Sequence, residues 1–159
     1  MRNLLTYILT FAICFGCSEK NTEWNSEKNA TIFFGSEPKN EKFTLTFNKT
    51  DKSLNYKYVN QIDTSKTITI RKSTDSDSFL FGFEKFKKTN KEPFRNKKFN
   101  GLEFDYYDLE NPVTDGTGPI LFNSKYGILA INNVFGPTII FLDKKDNILT
   151  EQIIGKLNE

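Results

Sequence analysis

A chain of 159 residues with 22 Lys and Arg against 20 Asp and Glu has room for one domain with a conventional core, and its near balance of charge gives no global field to gather nucleic acid or a strongly acidic partner. It contains no His, and its only cysteines are Cys14 and Cys17, which excludes a histidine base for a Ser or Cys nucleophile and imidazole ligands for zinc or copper. Sixteen Phe, six Tyr and one Trp suit a core built on pleated sheet better than a Leu/Ala helical one.

Met1-Arg2-Asn3 is a short positive start, and Leu4 to Phe15 is an apolar run softened only by Thr6 and Thr10. The run is well short of the roughly 20 residues that a helix needs to span the hydrocarbon layer, so it predicts a signal-peptide core rather than a transmembrane helix. It ends Ile13-Cys14-Phe15-Gly16-Cys17-Ser18. This resembles the lipobox of the type II signal peptides of bacterial lipoproteins, in which a small residue precedes the cysteine that is lipidated and becomes N-terminal. Cys14 stands where Leu is most usual and Phe15 where Ala or Ser is common; looser boxes of this kind are familiar in Bacteroidetes. No A-x-A-like site for an ordinary secretory cut lies nearby.

The resemblance implies that residues 1–16 are a signal peptide, cut before Cys17, and that Cys17 carries lipid and tethers the chain to a membrane. Cleavage leaves a single thiol for an oxidising compartment, which a thioether on Cys17 would cap. Several acyl chains on one cysteine make a firm anchor. Ser18 is not the Asp that retains lipoproteins in the inner membrane of enterobacteria, so the expected location is the cell envelope, with the outer membrane favoured. From Ser18 to Asn29 the chain is polar and of mixed charge, with Ser-Glu-Lys-Asn at 18–21 and again at 26–29. Such a stretch cannot repay the entropy of ordering, so residues 17–29 are expected to be a flexible tether and 30–159 a single β-rich domain. Trp24 is the exception, with a place either on the domain or at the headgroup level.

From Thr31 onward the period is two, which predicts half-buried strands. Phe43, Leu45 and Phe47 alternate with Thr44 and Thr46, and Leu54, Tyr56 and Tyr58 with Asn55 and Lys57. Lys66 to Lys72 turns Ile68 and Ile70 inward, and Ser78 to Phe86 is expected to do the same with Phe79, Phe81 and Phe83. Strands follow at Gly101 to Leu109, Ile120 to Phe122, Tyr126 to Asn132 and Thr138 to Leu142, which makes eight or nine. Turn chemistry at short intervals points to a mainly β fold, an antiparallel meander forming a curved sheet, barrel or sandwich. After Asp146-Asn147, apolar residues at Leu149, Ile153, Ile154 and Leu157 recur at helical spacing, which predicts a short C-terminal helix, weakened by Gly155. The step Tyr126-Gly127-Ile128-Leu129 is similar to terminal hairpins in small lipoproteins of Bacteroidetes, a likeness that implies no activity; Gly127 is expected at a bulge and Gly136-Pro137 at a turn.

Few residues suggest chemistry. Lys85 to Lys98 carries seven cations against one acid, Glu92, with Phe86 and Phe94 between them. Export excludes nucleic acid as the partner, leaving a solvated loop or a contact for anionic headgroups or acidic polysaccharide. Asp105, Asp108, Glu110 and Asp115-Gly116-Thr117-Gly118 gather acids, but without the spacing of an EF-hand loop, and a carboxylate pair for glycan hydrolysis depends on a separation that spacing does not give. Ser36-Glu37-Pro38-Lys39 matches S-x-x-K in letters only, because its companion motifs are missing and Pro38 makes it a loop.

The function these features predict is that of a non-enzymatic envelope lipoprotein, held to a membrane through lipid on Cys17, which binds or scaffolds an apolar ligand or an envelope protein. No cofactor, metal or nucleic acid is expected. The alternatives are an interaction subunit of an envelope complex and, ranked last, a carboxylate-dependent glycan hydrolase.

Overall fold

Strands form wherever apolar and polar side chains alternate, and turn residues end them. The computed structural model of the chain describes residues 22–34, 37–114 and 116–159. Its strands are β1 (Thr22–Phe33), β2 (Lys39–Lys49), β3 (Ser53–Asn60), β4 (Thr67–Ser73), β5 (Ser78–Phe81), β6 (Glu84–Lys88), β7 (Phe94–Arg95), β8 (Glu103–Leu109), β9 (Thr117–Asn123), β10 (Gly127–Asn133) and β11 (Thr138–Leu142), followed by helix α1 (Asn147–Leu157).

All pairings are antiparallel. The order β6-β5-β4-β3-β2-β1-β11-β10-β9-β8 closes on itself because β6 also pairs with β8, through Phe86↔Leu109 and Lys88↔Tyr107. The result is a ten-stranded barrel, with the short β7 attached to the free part of the same β8 edge. Of the three mainly β architectures expected, the barrel is the one formed, and the helix stands where the spacing of Leu149, Ile153 and Leu157 places it. Closure leaves no long sheet edge unpaired.

Two cores follow from this closure. Inside the barrel, alternate residues of the strands form an aromatic-rich filling that includes Phe43, Phe47, Tyr56, Tyr58, Phe79, Phe86, Phe122 and Phe141. Edge-on and tilted ring contacts run through it, Phe43 to Phe141 at 5.5 Å and Phe79 to Tyr107 at 4.5 Å among them. Outside, α1 lays Leu149, Ile153 and Leu157 over Phe104, Tyr106, Leu121, Leu129 and Ile140. Strand β10 is therefore buried on both faces from Gly127 to Ile131. The outer faces of β2 to β4 carry Thr44, Thr46, Asn55, Lys57, Thr69 and Arg71, an apolar-in, polar-out pattern opposite to that of a lipid-facing barrel. No described helix is long and apolar enough to cross a membrane.

Two expectations need correction. Residues 22–29 are not tether: they are the first two thirds of β1, paired with β2 from Thr22↔Lys49 to Ile32↔Lys39. A stretch too polar to order alone is ordered here because the backbone ladder of β2 supplies its hydrogen bonds. Trp24 stacks on Phe47 at 5.0 Å, and Lys28 reaches Asp143 at 2.5 Å while lying over the Tyr126 ring. Residues 1–21, which include the expected signal peptide and Cys17, lie outside the described residues. Nor is Ser78 to Phe86 one strand, since the chain reverses at Gly82-Phe83, between Phe81 and its partner Glu84. Gly82 takes φ +60°, the conformation that a two-residue hairpin turn demands, and Phe83 points into solvent instead of inward.

Candidate functional site

The meander gives the barrel two ends. The upper end collects the connections β1–β2, β3–β4, β5–β6, β8–β9 and β10–β11. The lower end holds the start of β1, the turns β2–β3, β4–β5 and β9–β10, and the β6–β8 connection.

Large apolar side chains left in solvent are concentrated at the upper end. Phe34, Ile62, Phe83, Val113, Val134 and Phe135 are all more than half exposed, and each lies on one of those five connections. Elsewhere, among the described residues, only Leu80 and Ile148 are comparable. Beside Phe34 the upper mouth opens into a cavity of about 370 Å³. Its walls are inward-facing strand residues, Ile32, Phe43, Ile68 and Ile139, with Pro137 at the lip.

One side of this mouth is polar and well ordered. Asn60, 2% exposed, donates from Nδ2 to Glu41 Oε2 at 2.5 Å and accepts the backbone N–H groups of Ile62 and Asp63, both at 2.9 Å. Lys66 Nζ donates to the other oxygen of Glu41 at 2.9 Å, a contact that raises the lysine pKa. This network fixes the β3–β4 turn that carries Ile62. Lys39 remains at the rim with no carboxylate within ion-pair distance among the described residues. The mouth is an apolar recess edged by lysines and one engaged carboxylate, which suits the tail of an amphipathic molecule better than a sugar.

The acids singled out from the sequence do not assemble. Asp105 and Asp108 are three apart on β8, so they face opposite sides of the sheet. Asp105 pairs with Lys88 at 2.9 Å, and Glu110 with Lys85 at 3.0 Å. Asp115 lies outside the described residues, as does Ser36. Among the described residues no group of three or more acidic or Cys side chains is placed to hold a metal ion. In the Lys85 to Lys98 stretch, Phe86 and Phe94 are buried and cannot stack on a ligand. Arg95 is held by Glu92 and Glu103, and Lys98 by Asp146.

The apolar loop tips were not singled out from the sequence, although a signal exists: Ile62 and Val113 stand alone within turn-forming stretches, where an apolar side chain has no core to reach. In comparisons with protein-family models, curated proteins and solved structures, nothing matches this chain.

Proposed function

We propose that this chain is a non-enzymatic, membrane-anchored envelope lipoprotein that holds an amphipathic ligand with an acyl tail in the upper mouth of its barrel. The observation that carries the reading is the coincidence, at one end, of six exposed apolar loop residues and an apolar recess. Solvated apolar side chains gathered in this way favour a surface that is covered in use. The aromatic filling of the lumen and the recess beside Phe34 support carriage at the mouth, with Ile32, Ile68 and Ile139 around the tail and Lys39 near an anionic head. The anchor rests on the lipobox resemblance at Cys17.

Calorimetric titration of the protein with palmitate tests the binding. Saturable binding that falls at least tenfold in Ile68→Glu, with an unchanged far-ultraviolet spectrum, is the expected result. No heat from palmitate, or an affinity indifferent to Ile68→Glu, overturns it. The anchor is tested separately by the intact mass of protein extracted from its own membranes beside a Cys17→Ala version. Mass added by acyl chains in the first and missing in the second is expected, and an unmodified mass ends the lipoprotein reading.

A second reading uses the same surface. The tips Phe83 and Val113 lie away from the recess, so a partner protein resting on all five connections would cover more apolar area than a small ligand does. Stoichiometric protein rather than lipid in a pull-down from solubilised membranes would favour it.

A further inference from the structure

The outer wall of the barrel carries a different kind of site. Antiparallel register sets Glu23, Asn48, Asn55, Arg71 and Leu80 directly opposite one another on β1 to β5, so five side chains stand in one row across the wall. The next row up runs Thr46, Lys57 and Thr69, and ends where the Gly82 N–H donates to the Thr69 carbonyl. Both rows face away from the aromatic filling, because their strand neighbours Phe47, Tyr56 and Ile70 face into it. Together they line a groove of about 570 Å³ that Phe83 borders at the β5–β6 turn. At ordinary strand spacing the longer row spans about 19 Å.

Strands β2, β3 and β4 lie inside the sheet, with neighbours on both sides. An extended peptide, which binds through main-chain hydrogen bonds at a free sheet edge, gains none on this face. Recognition here falls to side chains. Thr46 and Thr69 offer hydroxyls, and Asn48 and Asn55 offer amides that both donate and accept. Lys57 and Arg71, exposed on neighbouring strands, have no carboxylate within ion-pair distance among the described residues. The acid that lines the groove, Glu23, stands three strands from Arg71, about 14 Å by strand spacing, and accepts from the Asn48 amide at 3.5 Å. At the other end the Phe83 ring is fully exposed, with Leu80 on the adjoining strand. Two free cations, a set of short hydroxyl and amide groups and one flat apolar ring together match a ligand rich in hydroxyls that also carries carboxylates.

We propose that this groove binds an acidic oligosaccharide of the uronic-acid type. Arg71, with its planar fork of donors, and Lys57 meet its carboxylates. Asn48, Asn55, Thr46 and Thr69 meet its hydroxyls, and Phe83 covers the C–H face of one sugar ring at the Leu80 end. The groove shares no lining residue with the recess at the upper mouth, so the two can be filled independently.

The closed ladder and both cores lie within residues 22–159, so the chain from residue 17 with Cys17→Ser carries the whole barrel and removes any effect of lipidation. Tetragalacturonate is titrated into that protein while the side-chain amides of Asn48 and Asn55 are followed by NMR. Saturable shifts, weakened at least tenfold in Arg71→Ala and at least fivefold in Phe83→Ala, are expected; neither side chain is packed in a core, so both variants keep the fold. The methyl ester of the same sugar keeps the hydroxyls and loses the charge, and should bind at least tenfold more weakly. Polyglutamate keeps the charge and lacks the rings, and should give no saturable shift. The proposal is overturned by the absence of a shift with tetragalacturonate, by equal binding in either variant, or by a methyl ester or polyglutamate that binds as tightly as the sugar acid. None of these outcomes bears on palmitate at the upper mouth.

Discussion

Tyr58 and Gly127 meet across the inside of the barrel: a β-carbon at position 127 would lie 2.1 Å from the Tyr58 phenol oxygen, which accepts the Ile128 N–H at 2.7 Å. Gly127 also holds φ +89°, just before the bulge between Ile128 and Ala130. A strand on one wall is thus bonded through a side chain to the backbone irregularity of another.

Gly127→Ala is expected to destabilise the protein by about 3 kcal/mol, from the clash and the positive φ together. Tyr58→Phe should cost about 1–3 kcal/mol by leaving the Ile128 N–H buried without an acceptor. Because Tyr58→Phe removes the atom that alanine strikes, the double variant should lose less than the sum of the two. Urea unfolding of the four proteins measures this, and strict additivity would show that the two residues do not press on each other.

Burial pushes Tyr106 and Tyr107 up to about 12, and Tyr56, Tyr58 and Tyr126 higher still, from an ordinary value of 10.0. Raised values mean that the folded state holds these protons more tightly than the unfolded chain does. Their contribution is complete below pH 10 and is lost as pH rises toward 12. Phenolate absorbance and loss of the folded circular-dichroism signal are therefore expected to appear together in an alkaline titration. Phenolate formation near pH 10 in protein that stays folded would contradict the burial of these rings.

Lys28 is almost fully buried, and burial lowers its pKa against the opposing effect of the hydrogen bond it donates to Asp143. Removing the acid alone, as in Asp143→Ala, leaves a buried ammonium without its partner and is expected to cost about 1–3 kcal/mol. Lys28→Met removes the charge and keeps the stem, so stability should stay within about 1 kcal/mol of the parent. Thermal unfolding compares the two, and a larger loss in Lys28→Met than in Asp143→Ala would reverse this account.

Asp146 caps α1, accepting the Leu149 N–H at 3.0 Å, and also holds Lys98. The Lys98 hydrogen bond, and then the cap, lower its pKa from the usual 3.8. A depressed carboxylate gives stability that is present above that value and is lost as pH falls through the folded-state value. Asp146→Ala should lower Tm by a few degrees at neutral pH. Asp146→Asn keeps a capping oxygen and should lose part of the acid sensitivity. Melts from neutral to acid pH decide between the two roles.

Most strands could be read from local pattern. Phe43, Leu45 and Phe47 alternate with Thr because one side of β2 is core and the other water, and this requirement is written into the residues themselves. The helix from Asn147 was equally readable, from its Asp146 cap and the spacing of Leu149, Ile153 and Leu157. Residues 22–29 were not, because their order comes from a ladder with β2 that no local composition reveals. The turn at Gly82-Phe83 was hidden too, since Phe79, Phe81 and Phe83 keep the strand period straight through it.

The same division holds for the candidate sites. By itself the sequence determined that histidine chemistry is absent, that the fold is mainly antiparallel β with a terminal helix, and that Cys17 sits in a lipobox-like context, because each depends on residue types or on neighbours along the chain. Tertiary structure decided that the sheet closes as a barrel, that exposed apolar residues of five separate connections share one end, that Lys72, Lys88, Asp105 and Tyr107 gather at the other, and that Glu23, Asn48, Asn55 and Arg71 form one row across the outer wall. Those groupings depend on strand register and shear around a closed circle, which bring together residues tens of positions apart.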